Sequence, residues 1–187
     1  MSQPECRLAV VAPTFADVRA TCFEGVSGLL GVLPRECVAA YDRTRQQIAL
    51  HNGSLVRGFS ADTPDRLRGP QFHAAWCDEL AAWSDPDAWD QLAFALRLPG
   101  APPRVVVTTT PRPVPLVRRI LADPRTVTTR GSTFDNAAHL SPEALIALRE
   151  RYEGTRQGRQ ELHAELLDDV PGALFTYDKI KRMVLVD

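Results

Sequence analysis

Short apolar runs that end at polar residues alternate along this chain with segments whose apolar residues recur at helical spacing. Three runs are nearly continuous, which is typical of strands buried on both faces of a sheet: residues 7–14, 72–77 and 104–110. Residues 46–60 predict a β-hairpin that turns at Asn52-Gly53. Because strands alternate with helices, the pattern predicts an α/β fold with a parallel, layered sheet.

The helical spacing predicts five helices, and a further short run predicts one more strand. The helices are expected over residues 17–33, 84–98, 114–122, 141–152 and 155–168, and the strand over residues 126–130. The second and fourth helices begin with a serine followed closely by a proline, which suits a helix cap and its first turn. Glycines weaken the first helix.

The composition narrows the class of protein. A length of 187 residues predicts one domain with a substantial core, and 44% hydrophobic with 24% charged residues is typical of a soluble globular protein. The net charge of −1 excludes a global attraction to nucleic acid, so any DNA contact has to be a local patch. Of the 22 basic residues, only Lys179 and Lys181 are lysine. The arginine excess suits phosphate recognition, but coding bias in a GC-rich genome explains it better.

The four cysteines predict neither a zinc site nor a redox motif. None forms a C-x-x-C pair, so they are expected to be reduced interior thiols of a cytosolic protein. No apolar run approaches the ~18 residues of a membrane span. The first residues do not resemble a signal peptide. They enter an apolar strand within a few positions, as if a domain had been entered midway.

An acidic pair, Asp78 and Glu79, directly follows one of the buried runs. Ligands of α/β proteins bind at the carboxyl ends of the strands, where this pair is expected to lie. In a nucleotide hydrolase, the first acid holds Mg²⁺ and the second orients the attacking water. The plainer alternative is a strand that ends in acids at a solvated rim.

Two other polar segments are candidates for the same site. Thr108, Thr109 and Thr110 end a second buried run, where their hydroxyls would sense a γ-phosphate by hydrogen bonding. Strand propensity before a proline explains these threonines as well. The loop at residues 65–70 carries arginines, including Arg68, that would reach a phosphate from another subunit. Surface ion pairs in a solvated loop are the simpler explanation.

The sequence lacks a loop that would cradle phosphates. No G-x-x-x-x-G-K-[ST] motif occurs, and neither lysine follows a glycine-rich turn. The acidic pair therefore belongs either to a fragment of a nucleotide motor or to a different kind of site.

Ordered motifs that cover nearly the whole chain resemble the ATPase domain of the large terminase subunit, the DNA-packaging motor of tailed bacteriophages and of gene-transfer agents. These motifs are R-L-A-V-V-A-P-T-F-A-D-V-R, N-G-S-L-V-R-G-F-S-A-D-T-P-D-R-L-R-G-P-Q-F-H-A-A-W-C-D-E-L-A-A-W, V-V-V-T-T-T-P-R-P, S-T-F-D-N-A-A-H-L and G-R-Q-E-L-H-A-E-L-L-D-D-V-P-G-A-L-F. Each motif alone is unspecific, whereas the ordered set is specific.

The resemblance implies a role for each candidate residue. Asp78 corresponds to the Walker B acid that binds Mg²⁺ and ATP, and Glu79 corresponds to the catalytic glutamate. Thr108–Thr110 correspond to the coupling motif, which links hydrolysis to domain movement. Arg68 corresponds to the arginine that reaches the ATP of a neighbouring subunit.

The fold implied by the resemblance is a P-loop NTPase core of the ASCE type, truncated at its N-terminus and followed by a helical lid and linker. Residues 1–130 are expected to form the truncated core and residues 131–169 the helical lid. Residues 170–187 are expected to lead toward a missing RNase H-like nuclease domain. Asp187 is a weak candidate for a remnant of the nuclease metal site, because one acid cannot hold two metal ions.

For the intact protein, the resemblance implies Mg²⁺ and ATP as cofactors and double-stranded DNA as a partner. It also implies a portal protein, the small terminase subunit and a homo-oligomeric ring, all in the cytoplasm of a bacterial host and without a membrane. Because the phosphate loop is missing, this chain alone is expected neither to bind ATP tightly nor to hydrolyse it. Two alternatives remain open: a non-catalytic α/β module that regulates a motor, and a metal-dependent nuclease built on Asp78, Glu79 and Asp135.

Overall fold

The structure is a computed structural model, and it describes residues 5–167. The chain divides into two compact units, one that ends at Thr109 and one that begins at Thr110. The predicted ranges of core, lid and linker stay predictions. The linker at residues 170–187 and its Asp187 lie outside the described residues.

Within residues 5–167, the first unit is built on a six-stranded sheet. Its strands are β1 (Arg7–Ala12), β2 (Val38–Asp42), β3 (Gln47–Leu50), β4 (Leu55–Ser60), β5 (Ala74–Asp78) and β6 (Arg104–Thr108). The strand order is β2-β3-β4-β1-β5-β6, in which the last four strands are parallel and β2 and β3 are antiparallel. The predicted parallel α/β sheet and the hairpin between β3 and β4 are confirmed, whereas β2 was not predicted.

The helical segments connect these strands and make up much of the second unit. The α-helices are α1 (Phe15–Asp17), α2 (Leu29–Val32), α3 (Asp87–Ala95), α4 (Pro115–Leu121), α5 (Pro142–Tyr152) and α6 (Arg156–Glu161). A π-helix spans Val18–Phe23, and 3₁₀ turns span Arg35–Cys37, Pro64–Leu67, Leu80–Ala82 and Thr133–His139. Among the described residues, no helix combines the length and apolar character needed to cross a membrane.

The prediction of one continuous helix over residues 17–33 is wrong. The chain forms α1, continues as a π-helix to Phe23 and turns before α2. At Gly28, an added Cβ would lie 2.8 Å from the backbone oxygens of Thr21 and Phe23. The backbone therefore folds back on the preceding turn so closely that only a glycine fits, and the helix cannot continue.

The predicted ends of two helices also differ from the structure. The helix expected to reach residue 98 ends at Ala95, whose carbonyl oxygen accepts a hydrogen bond from the Phe72 N–H at 2.9 Å. Leu98 N–H in turn donates to the Phe72 carbonyl oxygen at 3.3 Å, so pairing with the residues before β5 draws the chain out of the helix. The last helix is shorter than predicted and ends at Glu161.

The strand predicted over residues 126–130 is absent, because no described strand pairs with it. Thr126 instead turns its hydroxyl onto the Ile120 carbonyl oxygen at 2.7 Å, which ties the segment to the end of α4. The 3₁₀ turn Thr133–His139 was not predicted. It begins with a capping box in which Ser132 and Asp135 satisfy each other's backbone N–H groups.

The core of the first unit lies against the central strands, and β1 has Ala9–Ala12 completely buried between β4 and β5. One cluster joins β1 to the π-helix and to β3 and β4: Val10, Ala12, Val18, Cys22, Phe23, Ile48 and Val56. The expectation that β6 is a buried strand is wrong, because β6 is the last of the described strands in the sheet and Val106 is 60% exposed.

Candidate active site

The structure brings Asp78 and Thr108 together at the carboxyl edge of the parallel strands. Asp78 ends β5 and lies directly opposite Thr108, which ends β6. The Thr108 hydroxyl donates a hydrogen bond to Asp78 Oδ1 at 2.7 Å, and the Trp76 indole N–H donates to Thr108 Oγ1 at 2.8 Å. The two strand ends that the sequence singled out therefore share one polar cluster.

Cys22 contacts the other oxygen of the same carboxylate. Its thiol lies 3.6 Å from Asp78 Oδ2 as a hydrogen-bond donor, and its side chain is completely buried. Burial, and then the neighbouring Asp78 carboxylate, raise the pKa of the Cys22 thiol to about 12. The thiol therefore keeps its proton at neutral pH and donates it toward Asp78. A π-helix supplies Cys22, and such helices are frequent at functional sites.

Two further hydrogen bonds fix the chain that follows Asp78. The Trp83 indole N–H donates to the Asp78 carbonyl oxygen at 3.0 Å. The Ala81 N–H donates to Thr109 Oγ1 at 2.9 Å. Thr109 thus holds the turn after the acidic pair, whereas Thr108 contacts the acid itself. Thr110 begins the second unit.

Glu79 has a backbone conformation that is unusual for its residue type. Its φ of 45° and ψ of 46° place it in the left-handed region, which costs a non-glycine residue about 1–2 kcal/mol. Its side chain makes no capping hydrogen bond to the 3₁₀ turn that follows, and the residue is exposed. Strain of this kind clusters at functional sites. Here it carries the Glu79 side chain out of the strand and toward solvent beside Asp78.

Arg68 lies in the loop that precedes β5, whereas Asp78 ends β5. It lines a surface depression together with Phe94 and Ala95 in the last turn of α3. Its side chain is 66% exposed and forms an ion pair with Asp65 at 3.2 Å. Such an exposed pair contributes little stability, so the guanidinium can exchange Asp65 for another anion.

The oxygen donors of the cluster suit Mg²⁺ better than a transition metal. A carboxylate and a hydroxyl are hard ligands, and Mg²⁺ commonly binds one or two such groups, completing its shell with water and phosphate oxygens. In the part of the chain that the structure describes, no three His, Cys, Asp or Glu side chains converge on a metal position. The residues therefore fit an ion shared with a phosphate rather than a metal site made by protein alone.

Asp135 has a structural contact of its own. Its carboxylate accepts hydrogen bonds from the Ser132 N–H at 2.7 Å and the Ser132 hydroxyl at 2.8 Å, which lower its pKa. It caps the 3₁₀ turn of the second unit, whereas the acidic pair belongs to the first. The nuclease alternative therefore gains no support from the described residues.

Sequence reasoning missed Cys22, Trp76 and Trp83 as contacts of the site. Cys22 is 56 positions from Asp78, and no local motif connects the two. Trp76 was hidden inside the apolar run that predicted β5. Trp83 lies five positions after Asp78, and its apolar ring gives no sequence signal of a contact to the acidic pair.

Solved structures share this fold. The large terminase from a thermophilic bacteriophage has a TM-score of 0.67 at 16% identity, over 86% of this chain and 41% of that one. The same protein in complex with ADP has a TM-score of 0.68 at 15% identity, over 88% and 41%. The large terminase ATPase domain of Thermus phage P74-26 has a TM-score of 0.55 at 19% identity, over 89% and 79%. This chain thus spans about two fifths of the length of the thermophilic bacteriophage protein.

Two sequence comparisons complete the picture. A search of curated proteins gave no match, whereas a family model did. Residues 6–182, nearly the whole chain, match the family described as "Terminase large subunit, T4likevirus-type, N-terminal". This match agrees with the parallel sheet that carries Asp78 and Thr108 at its carboxyl edge. The chain therefore belongs to the family of terminase large subunit N-terminal regions.

Proposed function

We propose that this chain is part of an ATP-driven motor that translocates viral or virus-like DNA into a procapsid. The observation that carries the proposal is the hydrogen-bonded pair of Asp78 and Thr108 at the carboxyl edge of a terminase-type sheet. This edge is where an α/β protein binds its ligand. The thermophilic bacteriophage large terminase was solved in complex with ADP and with ATP-γ-S, which supports a nucleotide as that ligand.

Each residue of the site has a distinct task in this proposal. Asp78, held by Thr108 and Cys22, would hold Mg²⁺, which would supply positive charge to the phosphate oxygens. Glu79, exposed beside it, orients and deprotonates the attacking water. Thr108, hydrogen-bonded to Asp78, passes the structural change that follows loss of the γ-phosphate to β6. Thr109, hydrogen-bonded to Ala81, passes it to the turn after β5.

Arg68 has its task in a neighbouring subunit. Its place in the loop before β5 and its exposed side chain, which forms an ion pair with the exposed Asp65, suit an arginine that reaches another subunit's nucleotide. The proposal therefore includes a homo-oligomeric ring around double-stranded DNA, together with a portal protein and a small terminase subunit in the bacterial cytoplasm. Because the net charge of the chain is only −1, the proposal assigns DNA binding to local clusters of basic side chains that contact the phosphate backbone.

The chain alone is expected to lack activity. The described residues include no lysine, since Lys179 and Lys181 lie outside them, and no phosphate-cradling loop occurs in the sequence. Phosphoryl transfer depends on the positioning and charge that such a loop supplies. Mg²⁺ and ATP are therefore proposed as cofactors of the assembled motor.

A chimera tests the proposal. The matched segment of the thermophilic bacteriophage large terminase is replaced by this chain, and ATP hydrolysis is measured with Mg²⁺ and DNA. We expect hydrolysis that Glu79→Gln lowers at least about a hundredfold, because the variant keeps the size but loses the base. Glu36→Gln, which changes an equally exposed acid elsewhere, is the control and should keep full activity.

Two results would contradict the proposal. An active chimera that is unaffected by Glu79→Gln would remove the acidic pair from the chemistry. Rapid hydrolysis by this chain alone, abolished by Glu79→Gln, would show that it needs no further phosphate-binding segment.

A further inference from the structure

A cavity of about 410 Å³ lies at the amino ends of the parallel strands, where Arg7 starts β1, Leu55 starts β4 and His73 precedes β5. β1 has six residues that each rise about 3.3 Å, so the cavity is about 17 Å from the carboxyl edge, where Asp78 lies. A volume of this size is in the range of ligand sites. The proposed function leaves this cavity without a task.

Two arginines border the cavity from one face of the sheet. Arg7 lies opposite Leu55, and Arg57 follows Leu55 by two positions, so both side chains project from the same face. Both are exposed, and within residues 5–167 neither forms an ion pair. The Arg57 guanidinium lies 5.3 Å from the centre of the Phe59 ring, a contact that leaves its N–H groups available. Two such guanidiniums suit the recognition of an anion.

His73 adds a neutral donor to the same lining. Its Nδ1 accepts a hydrogen bond from the Arg7 N–H at 2.9 Å, and its backbone N–H donates to the Arg7 carbonyl oxygen at 2.8 Å. Because Nδ1 is an acceptor, the proton of the neutral ring lies on Nε2. Glu5 is the acid among the described lining residues, and it lies against the β3–β4 turn, where a Cβ on Gly53 would be 2.6 Å from its Oε1. Donors therefore dominate the polar part of the cavity.

The remaining part of the lining is apolar and includes Leu55, Phe72 and Leu98. Phe72 packs edge-on against Phe59, with ring centres 5.4 Å apart, and is only 2% exposed. Its ring therefore gives a nucleic-acid base little surface for stacking. A backbone phosphate of DNA would contact the arginines and leave the leucines uncovered. The lining instead fits an apolar side chain that has a carboxylate beside it.

We propose that this cavity binds an acidic peptide segment of a partner protein, in which an aspartate or glutamate adjoins an apolar side chain. The carboxylate accepts hydrogen bonds from Arg7 and Arg57, whose planar guanidiniums match its geometry. The apolar side chain covers Leu55 and Leu98. This site goes beyond the proposed function, because it requires neither a nucleotide nor DNA.

NMR titration of the full 187-residue chain tests the proposal. The probe is the peptide acetyl-Asp-Asp-Leu-Phe-amide, and we expect saturable shifts of the backbone amides of residues 55–57 and 71–73. The peptide acetyl-Asn-Asn-Leu-Phe-amide lacks the charge, and acetyl-Asp-Asp-Ser-Ser-amide lacks the apolar side chains. Each should bind at least about tenfold more weakly, because each loses one of the two kinds of contact.

Substitutions in the chain locate the site independently of the peptide variants. Arg57→Gln and Arg7→Gln should each weaken binding of the probe at least about tenfold, because each removes a charged donor. Both positions are exposed, and Arg7→Gln leaves the contact with the Phe59 ring intact. Arg45→Gln, at another exposed arginine, is the control and should bind the probe as the unchanged chain does.

Four results would overturn the proposal: no shifts at residues 55–57 and 71–73, equal binding of the asparagine or serine peptide, unchanged affinity in both arginine variants, or displacement of the probe by duplex DNA or ATP. Displacement would assign the cavity to a phosphate ligand. The chimera test concerns the opposite edge of the sheet, so an inactive chimera contradicts the proposed function and leaves this result unaffected.

Discussion

At the scale of single residues, the main feature of the site is that three hydrogen bonds fix Asp78. One carboxylate oxygen accepts from Thr108, the other from Cys22, and the backbone carbonyl accepts from Trp83. These donors lie on three different segments of the chain. The carboxylate is therefore oriented by the fold itself, before any ligand arrives.

Replacing Thr108 with valine tests this arrangement. Thr108→Val removes the donor to Asp78 and the acceptor of the Trp76 indole, so we expect the free energy of unfolding to fall by about 1 kcal/mol. Thr108→Ser keeps the hydroxyl and is the control. Urea denaturation measures both variants. A stability of Thr108→Val equal to that of the unchanged chain would contradict a contribution from these hydrogen bonds. A loss in Thr108→Ser as large as in Thr108→Val would show that the methyl group contributes as much as the hydroxyl.

The ion pair between Asp123 and Arg125 predicts a specific pH dependence. Hydrogen bonds from the Arg125 side chain and backbone lower the pKa of Asp123 from 3.8 to about 2. Because the folded pKa is depressed, the stabilisation is complete above about pH 4 and is lost as the pH falls toward 2. Carboxyl NMR titration should give a midpoint near 2. Arg125→Ala should raise the midpoint toward 3.8 without reaching it, because the backbone N–H of residue 125 still donates to Asp123. A midpoint that does not move would contradict the side-chain pairing.

At the scale of elements, the sheet depends on one close approach between a strand and a helix. A Cβ added to Gly58 of β4 would lie 2.4 Å from Val18 Cγ1 in the π-helix and 3.0 Å from Gln46 Oε1. The absent side chain lets the π-helix lie directly on the sheet. That helix carries Cys22 to Asp78, so the packing of β4 also positions the site.

Gly58→Ala is therefore expected to destabilise the first unit. We expect a loss of about 1–3 kcal/mol from overpacking, measured by thermal or urea unfolding. Gly131→Ala is the matched control, since nothing lies within 4 Å of its added Cβ. It should be neutral or stabilise the chain by up to about 1 kcal/mol. Similar losses at both glycines would show that local backbone effects, not the Val18 contact, dominate.

Much of the fold could be predicted from periodicity, and the exceptions have physical causes. The apolar runs located β1 and β5, and the Asn-Gly turn located the β3–β4 hairpin. β2 was missed because V-A-A-Y-D has no clear alternation of polarity. The prediction of one helix over residues 17–33 was wrong because the turn between Phe23 and Leu29 depends on the close backbone packing at Gly28, which apolar spacing does not report.

The sequence could predict the candidate site only where a polar residue able to bind a ligand directly ends a predicted strand. Asp78 and Thr108 each follow a β-rich run, so their meeting at one edge follows from parallel pairing. The left-handed backbone of Glu79 and the thiol of Cys22 depend on tertiary packing and leave no local pattern. The expectation of interior cysteines holds for Cys22 and Cys77 but not for Cys37, which is exposed.

At the scale of the whole molecule, the position of Arg68 is informative. It lies in an exposed loop before β5, while Asp78 ends β5 and Glu79 follows it. If the arginine acts on a neighbouring subunit, one subunit contributes Glu79 and the next contributes Arg68. Activity then belongs to the interface and not to either chain.

Mixing two inactive chimeras tests this division of labour. Arg68→Ala and Glu79→Gln subunits should each be inactive, whereas an equal mixture should regain activity, because about a quarter of the interfaces in a random ring combine an intact Glu79 with an intact Arg68. Turnover of the mixture measures the effect. Arg45→Ala, which breaks a comparable exposed i,i+3 ion pair with Asp42, should remain active by itself. A mixture with no recovered turnover would place Arg68 outside the reaction.

The indole contacts at Asp78 and Thr108 give the molecule an optical reporter. Two of its three tryptophans, Trp76 and Trp83, donate their ring N–H groups to this cluster. Indole emission shifts with the polarity and hydrogen bonding around the ring. The emission maximum of intrinsic tryptophan fluorescence will therefore report ligand binding and structural change at the cluster in real time, with no dye attached.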